Sequence, residues 1–198
     1  MAGTAVSVPA RRPRRDALAN QERVLAAAVT ARLHEGRQIP MAEIARLAGV
    51  GVGTLYRRFP NREALLSALT ERSFALVRDL AAASASLEGP AVVCLEHFLD
   101  GTISHRDQLV LPMHGGPVEL SQTAVRLRDE VRDAVARLVE RGVDDRTLRE
   151  GLTPDDVITF GAMLAQPLPG VADWDTVARR QKDIFIAGVV PAPAGSSV

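Results

Sequence analysis

Apolar residues in this chain come back every three or four positions and almost never every second one. Val24, Leu25, Ala28, Val29 and Leu33 make one such stripe, and Leu65, Leu66, Leu69, Leu76, Val77 and Leu80 a second. Leu120, Ala124, Leu127, Val131, Val135 and Leu138 make a third. That spacing places side chains on one face of a helix, whereas a half-buried strand needs a period of two. Hydrophobic residues supply 46% of the chain but aromatic ones only 4%. An interior must therefore be built from Leu, Val, Ile and Ala, and Ala and Leu lose little side-chain freedom in a helix. The 198 residues suffice for one large domain or two small ones sharing a core. The expected fold class is all-α.

The formal net charge of zero conceals a division. Residues 1–75 carry twelve arginines against six acids, and residues 76–198 carry twelve basic residues against eighteen acids. A basic front with an acidic back points to a polyanionic partner for the front alone. No run approaches the roughly 18 apolar residues of a membrane span. The opening MAGTAVSVPARRPRR sets its mildly apolar part before its charges, the reverse of a secretory signal. Cys94 is the single cysteine, which permits no intrachain disulfide and suits a reducing compartment. A cytoplasmic protein with no membrane partner is expected.

Punctuation divides the chain. Residues 1–15, rich in Pro, Ala and Arg and without periodicity, are expected to be a disordered basic arm. A helix from about Asp16 to Glu35 stops at Gly36. Pro40 opens a short helix over Met41–Ala48, Gly49 breaks it, and another short helix follows over about Val52–Arg58, completing a first domain over 16–60. Pro60 turns Phe59 away from helical geometry, and Asn61 is placed to cap a long connecting helix over 61–83. That helix opens a second domain over 61–190. Within it, Ala91–Asp100 and Ile103–Leu111 read as two short helices, Pro112–Pro117 as a loop, and Pro117–Arg141 as a long amphipathic helix. Thr153-Pro154-Asp155-Asp156 joins a capping hydroxyl, a first-turn proline and two acids facing the helix dipole, and starts a helix running to Gln166. A last helix spans about Trp174–Val189, and residues 191–198 form a flexible tail.

The segment Met41–Phe59, MAEIARLAGVGVGTLYRRF, carries the chemistry. Two short helices joined by a glycine turn make a helix-turn-helix, whose second helix can lie in a DNA major groove while the first braces it. Ala45 is small enough for the two to cross closely. Gly49 accepts the left-handed conformation that ends the first of the pair. Val50 and Leu55 pack the pair on the preceding helix. That leaves Val52, Gly53, Thr54, Tyr56, Arg57 and Arg58 to meet DNA.

Ile44-Ala45, Ala48-Gly49-Val50, Gly53-Thr54-Leu55-Tyr56, Phe59 and Asn61-Arg62-Glu63-Ala64-Leu65 closely resemble the tetracycline-repressor (TetR) family over about Glu22–Leu69. The resemblance implies a three-helix helix-turn-helix DNA-binding domain followed by a helical ligand-binding and dimerisation domain. It further implies that Tyr56 and the basic position after it touch phosphates, while the residues ahead of Tyr56 approach base edges. Gly53 and Thr54 would sit near bases, Thr54 against a thymine methyl or a hydrogen-bonding edge. Tyr56, Arg57 and Arg58 would chiefly anchor phosphates, with either arginine able to reach a guanine. Arg62 would add a phosphate contact at a helix N-terminus. Two positions depart from the family pattern. Met41 stands where Thr or Ser is frequent, removing a hydroxyl contact to phosphate. Arg57-Arg58 replaces a frequent aromatic-histidine pair and leaves base specificity open. Arg11, Arg12, Arg14 and Arg15 are open to two readings, an arm on phosphates or in a minor groove, or a solubilising tail.

Other groupings are weaker. Gly51-Val52-Gly53 follows a helix rather than a strand and lacks Gly-Lys-Ser/Thr, so it is not expected to hold a nucleotide. Cys94 and His97 stand three apart without a third and fourth metal ligand. His105 and His114 lie on or near a loop. Asp144-Asp145 and Asp155-Asp156 suit loop solvation and helix capping, and no nucleophile has its base beside it. No catalytic residue, cofactor or metal site is expected.

The last two helices carry apolar stripes of Val157, Ile158, Phe160, Gly161 and Leu164, and of Val177, Ile184, Phe185 and Gly188. These suit pairing with a second copy in a four-helix bundle, or completion of one protomer's core. A homodimer would read a palindromic double-stranded operator with half-sites roughly 34–36 Å apart or at multiples of that spacing. For a small-molecule effector the pocket residues to expect are Phe98, Ile103, Leu109, Met113, His114, Leu127 and Met163. Methionine adapts to irregular ligands and His114 would be a polar anchor, though all seven suit a core equally. The expected function is a transcription regulator, a repressor released from its operator by that effector. Against it stands a DNA-binding regulator governed by a protein partner or by abundance and, further off, an enzyme or binding module that has taken up a helix-turn-helix.

Overall fold

The structure, a computed structural model, describes residues 12–35, 40–111 and 116–191. Among them the regular elements are all helical, as the periodicity requires. They run α1 (Arg12–Glu35), α2 (Met41–Leu47), α3 (Val52–Arg58), α4 (Arg62–Ala85), α5 (Ala91–Ser104), α6 (Gln122–Asp144), α7 (Pro154–Leu164) and α8 (Trp174–Val189). The chain divides into two compact units, the first ending at Leu65 and the second beginning at Leu66.

Helix starts follow local chemistry. The Asn61 Oδ1 accepts the Ala64 N–H at 2.8 Å, satisfying one of the donors that a helix N-terminus leaves unpaired. Thr153 and Asp156 form the reciprocal capping box that starts α7, and the Thr153 hydroxyl and N–H hold the Asp156 carboxyl below its ordinary pKa. Removing that hydroxyl (Thr153→Ala) is expected to lower stability by about 1 kcal/mol. The check is the urea midpoint of the variant, which should fall with an unchanged slope.

Several boundaries differ from those read off the sequence, α2 ending at Leu47 rather than Ala48 and α4 running over Arg62–Ala85 rather than 61–83. Helix α1 begins at Arg12 rather than Asp16, so four residues assigned to the arm lie in its first turn, where Pro13 has the fixed φ a helix start accepts. Two short helices were expected over 91–100 and 103–111. Instead α5 runs unbroken to Ser104, followed by one 3₁₀ turn at Arg106–Gln108 and an extended stretch. Gly101 is thus no helix break; a Cβ there would lie 3.0 Å from the Leu80 Cδ2, so its smallness serves packing. Helix α6 starts at Gln122, not Pro117, because Ser121 caps it by accepting the Ala124 N–H at 3.1 Å, and it continues to Asp144. Helix α7 ends at Leu164, two residues short of Gln166, and α8 spans the expected Trp174–Val189. Gly36, Arg11 and residues 192–198 lie outside the described residues.

In the second unit α5 is the central element, in contact with α6, α7 and α8. It buries Leu95, Phe98, Leu99 and Ile103. Its N-terminus follows Pro90, which offers no side-chain cap. The Ala91 and Val92 N–H groups donate instead to the Asp145 carboxylate at 2.9 Å and the Thr147 hydroxyl at 3.2 Å. Gly161 lets α7 lie close to α5, since a Cβ there would stand 3.3 Å from the Leu99 Cδ2. Phe160 and Phe185 stack at 4.1 Å between centroids, tying α7 to α8. The Trp174 Nε1 donates to the Leu164 carbonyl at 2.7 Å. Lys182 is buried in α8, with its ammonium 2.9 Å from the Asp100 carboxylate. Burial pushes its pKa down, but the Asp100 hydrogen bond and charge more than offset this and leave it above the ordinary value.

Candidate nucleic-acid interface

The first unit is built so that one short helix is held rigidly and presents its outer side. Helix α1 contacts α2, and α2 contacts α3. Val24, Leu25 and Ala28 of α1, Ile44 and Ala45 of α2, and Leu55 and Phe59 of α3 and its C-terminus are all buried. Ala45 is fully enclosed, as a close helix crossing demands. The Val50 N–H donates to the Ala45 carbonyl at 3.0 Å, tightening the turn between α2 and α3, and the Val50 side chain is half-buried.

Gly49 has φ +63°, the left-handed region that favours glycine. A Cβ added there would meet nothing closer than an Arg23 guanidinium nitrogen at 3.9 Å. Sterics with neighbours are therefore absent, and the cost of a side chain is conformational alone. Gly49→Ala is expected to destabilise by about 1–2 kcal/mol, measured by thermal unfolding.

The candidates for DNA lie on the outer side of α3. Val52, Gly53, Thr54, Tyr56, Arg57 and Arg58 are all exposed, Tyr56 at 45%, while Leu55 between them is 1% exposed. Arg62, in the first turn of α4, is half-buried. The two adjacent arginines are held differently. The Arg57 Nε and Nη2 reach back along α3 to the Gly53 carbonyl at 3.3 Å and the Thr54 hydroxyl at 3.4 Å. The Arg58 Nη2 instead donates to the Gln21 Oε1 of α1. Between α1 and the C-terminal half of α3 runs an open groove of about 250 Å³, with both arginines and Gln21 in its lining. Arg46, on the exposed side of α2, hydrogen-bonds Glu43 and holds that carboxyl below its ordinary pKa, so its charge is partly neutralised within α2.

The expected pocket residues do not gather at one place. Phe98 and Leu109 line a small, partly open cavity of about 50 Å³ in the second unit, with Phe74, Val77, Val131, Ile158 and the exposed Arg128. The Thr102 hydroxyl also lines it but already donates to the Leu99 carbonyl at 2.7 Å. Ile103 is turned away into a separate cluster with Leu164, Trp174 and Ala178. Leu127 is half-buried outside the cavity lining, and Met163 is 56% exposed. Met113 and His114 lie outside the described residues. The apolar stripes of the last two helices are also divided. Val157, Gly161 and Leu164 are buried within the protomer and so cannot also face a second copy, whereas Ile184 and Gly188 are exposed. Ile158, Phe160, Val177 and Phe185 are half-buried. Met163 lies on the outer side of α7 rather than in a pocket, off the three-and-four spacing of the buried Val157, Gly161 and Leu164. No group of three or more His, Cys, Asp and Glu among the described residues could hold a metal ion, and no described helix is long and apolar enough to cross a membrane.

Residues 25–69 match the family model described as "Bacterial regulatory proteins, tetR family". The fold matches solved structures over nearly their whole length. A TetR transcription regulatory protein from Mycobacterium vanbaalenii is 25% identical with a TM-score of 0.66, covering 90% of this chain and 99% of that one. A TetR transcriptional regulator from Streptomyces coelicolor is 26% identical with a TM-score of 0.61, covering 87% and 99%. A ketosteroid transcriptional regulator from Mycobacterium tuberculosis shares the fold at 15% identity, with a TM-score of 0.64 and coverage of 87% and 95%. No curated protein matches the sequence.

Proposed function

We propose, from the match of residues 25–69 to the tetR family model and of the fold to solved TetR regulators, that the chain is a cytoplasmic repressor that binds a palindromic DNA operator as a homodimer and leaves it when a small-molecule effector binds. The observation that carries the DNA-binding part is the outer side of α3. Tyr56, Arg57 and Arg58 stand exposed over a helix whose inner side, Leu55 and Phe59, is locked in the core. Such a helix can enter a major groove without the rest of the unit deforming. Thr54 and Gly53 approach base edges, and Arg62 adds a phosphate contact from the start of α4.

One such helix makes too few contacts for a specific site, so a second copy is required. The exposed side of α7 and α8 offers Ile184, Gly188 and Met163, flanked by the half-buried Ile158 and Val177. Two copies of that side would bury these residues in a four-helix seam. An effector that favours a dimer with a different head separation weakens operator binding by its differential affinity for the two forms. The site for it is the apolar cavity lined by Phe98 and Leu109.

A second reading, regulation without a small-molecule effector, draws on the size of that cavity. About 50 Å³ is well below the roughly 300–1,000 Å³ of ordinary ligand sites, so an effector must part the cavity walls. The test is a reporter driven by the bound promoter in the native host. Deleting the protein should raise transcription, and a metabolite extract that releases purified protein from the operator should also raise its melting temperature. A fall in transcription on deletion would contradict repression. Release without a thermal shift would favour a protein partner.

A further inference from the structure

We propose that the two adjacent arginines of α3 divide recognition between them, Arg57 reading a guanine in each half-site and Arg58 holding a backbone phosphate. The proposal rests on the DNA-binding reading above and goes beyond it by naming the specificity-determining side chain. The first argument is angular. Successive residues of a helix stand about 100° apart. Leu55 is the buried residue of α3, so the pole opposite it falls between Gly53 and Arg57, about 20° from each. Tyr56 and Arg58 lie about 100° to either side of Arg57. A helix in the major groove points its outer pole at the base edges and its flanks at the two phosphate strands.

The second argument is how each guanidinium is held. Arg58 is drawn sideways to Gln21 of α1, toward the flank where a phosphate strand would pass. Arg57 also borders the groove beside α1, but its guanidinium is turned back along α3 with only long contacts, at 3.3 and 3.4 Å, which are weak enough to exchange for a base. The third is the space beside it. Gly53 stands one turn before Arg57, and nothing lies within 4 Å of where its Cβ would be. The backbone there can come close to the base pairs and bring Arg57 within reach of them. The fork of a guanidinium matches the O6 and N7 acceptors of guanine, the commonest specific contact in the major groove.

The test is selection from a random DNA pool with the full chain and with Arg57→Ala, Arg57→Gln and Arg58→Ala, followed by salt titration on the wild-type consensus. All three substitutions are at exposed positions, and circular dichroism melting confirms that each variant is folded. The wild type should enrich an inverted repeat with a guanine favoured about ten- to hundredfold at one position per half-site. With Arg57→Ala that preference should vanish while the rest of the repeat persists, and with Arg57→Gln adenine should replace guanine. Arg58→Ala should keep the guanine, weaken all sequences alike and reduce the salt slope by about 1 per protomer. Loss of the guanine with Arg58→Ala, or its retention with Arg57→Ala, would overturn the division while leaving DNA binding in place. A wild type that enriches no motif would remove the DNA-binding reading itself, and the proposal with it.

Discussion

Changing Tyr56 and Arg58 together to alanine is expected to abolish operator binding while leaving the dimer and the melting temperature nearly unchanged. Each side chain flanks the outer pole of α3, where a phosphate strand would run. A hydrogen bond to a charged group contributes about 1.5–3 kcal/mol, so losing two from each head costs several orders of magnitude in affinity once both half-sites are counted. Neither side chain supports the core. Tyr56 and Arg58 are exposed, and Leu55 and Phe59 carry the burial. Exposed substitutions of this kind stay within about 0.5 kcal/mol of the parent stability. A gel-shift titration beside size-exclusion and thermal unfolding separates the two effects. Loss of the dimer in this variant would contradict the assignment of these residues to the DNA face.

The largest stability effect is expected at Gly142, in the last turn of α6. A Cβ there would stand 2.3, 2.5 and 2.9 Å from the Cδ1, Cγ and Cβ of Leu148. Because the whole of that side chain is in the way, no rotation of its tip relieves the clash. Leu148 is 2% exposed and belongs to the main core cluster. It is also held from the backbone, since the Thr147 and Leu148 N–H groups both donate to the Gly142 carbonyl, at 2.9 and 2.8 Å. Gly142→Ala would gain up to about 1 kcal/mol of helix propensity, but overpacking of this severity costs about 3 kcal/mol or more. A net loss of about 2 kcal/mol lowers the melting temperature of a chain this size by about 4–8 °C. Leu148→Ala removes the two closest clashes, with Cδ1 and Cγ, and leaves only the 2.9 Å approach of Cβ, so the double variant should lose less than the sum of the two single ones. Additive losses, or a stabilised Gly142→Ala, would contradict the close approach.

The head was legible because its determinants are local. Gly49 at φ +63°, the Asn61 cap and the alternation of buried Leu55 with exposed Tyr56 each follow from a few neighbouring residues. The tie between Gln21 and Arg58 spans 37 residues and leaves no such trace. The same limit explains the second unit. Periodicity shows which side of a helix is apolar but not which helix it meets. Ile103 accordingly had equal claims to a pocket and to the cluster it joins with Trp174. Val157 and Ile184 sit in neighbouring apolar stripes, yet one is wholly buried in the protomer and the other 58% exposed. Glycine was the least readable signal. Gly49 ends a helix, but Gly101 lies within α5 and Gly142 within the last turn of α6, both small for the sake of a leucine packed against them.

Selection of genomic fragments by the purified protein, followed by a salt titration and a mass measurement on the best-bound fragment, tests the central claim most directly. Recognition by two copies of α3 predicts an inverted repeat with half-sites one helical turn or a multiple of it apart. It also predicts an even number of protomers per site and affinity that falls steeply with salt. Fragments bound without sequence preference, or by a single protomer, would contradict it.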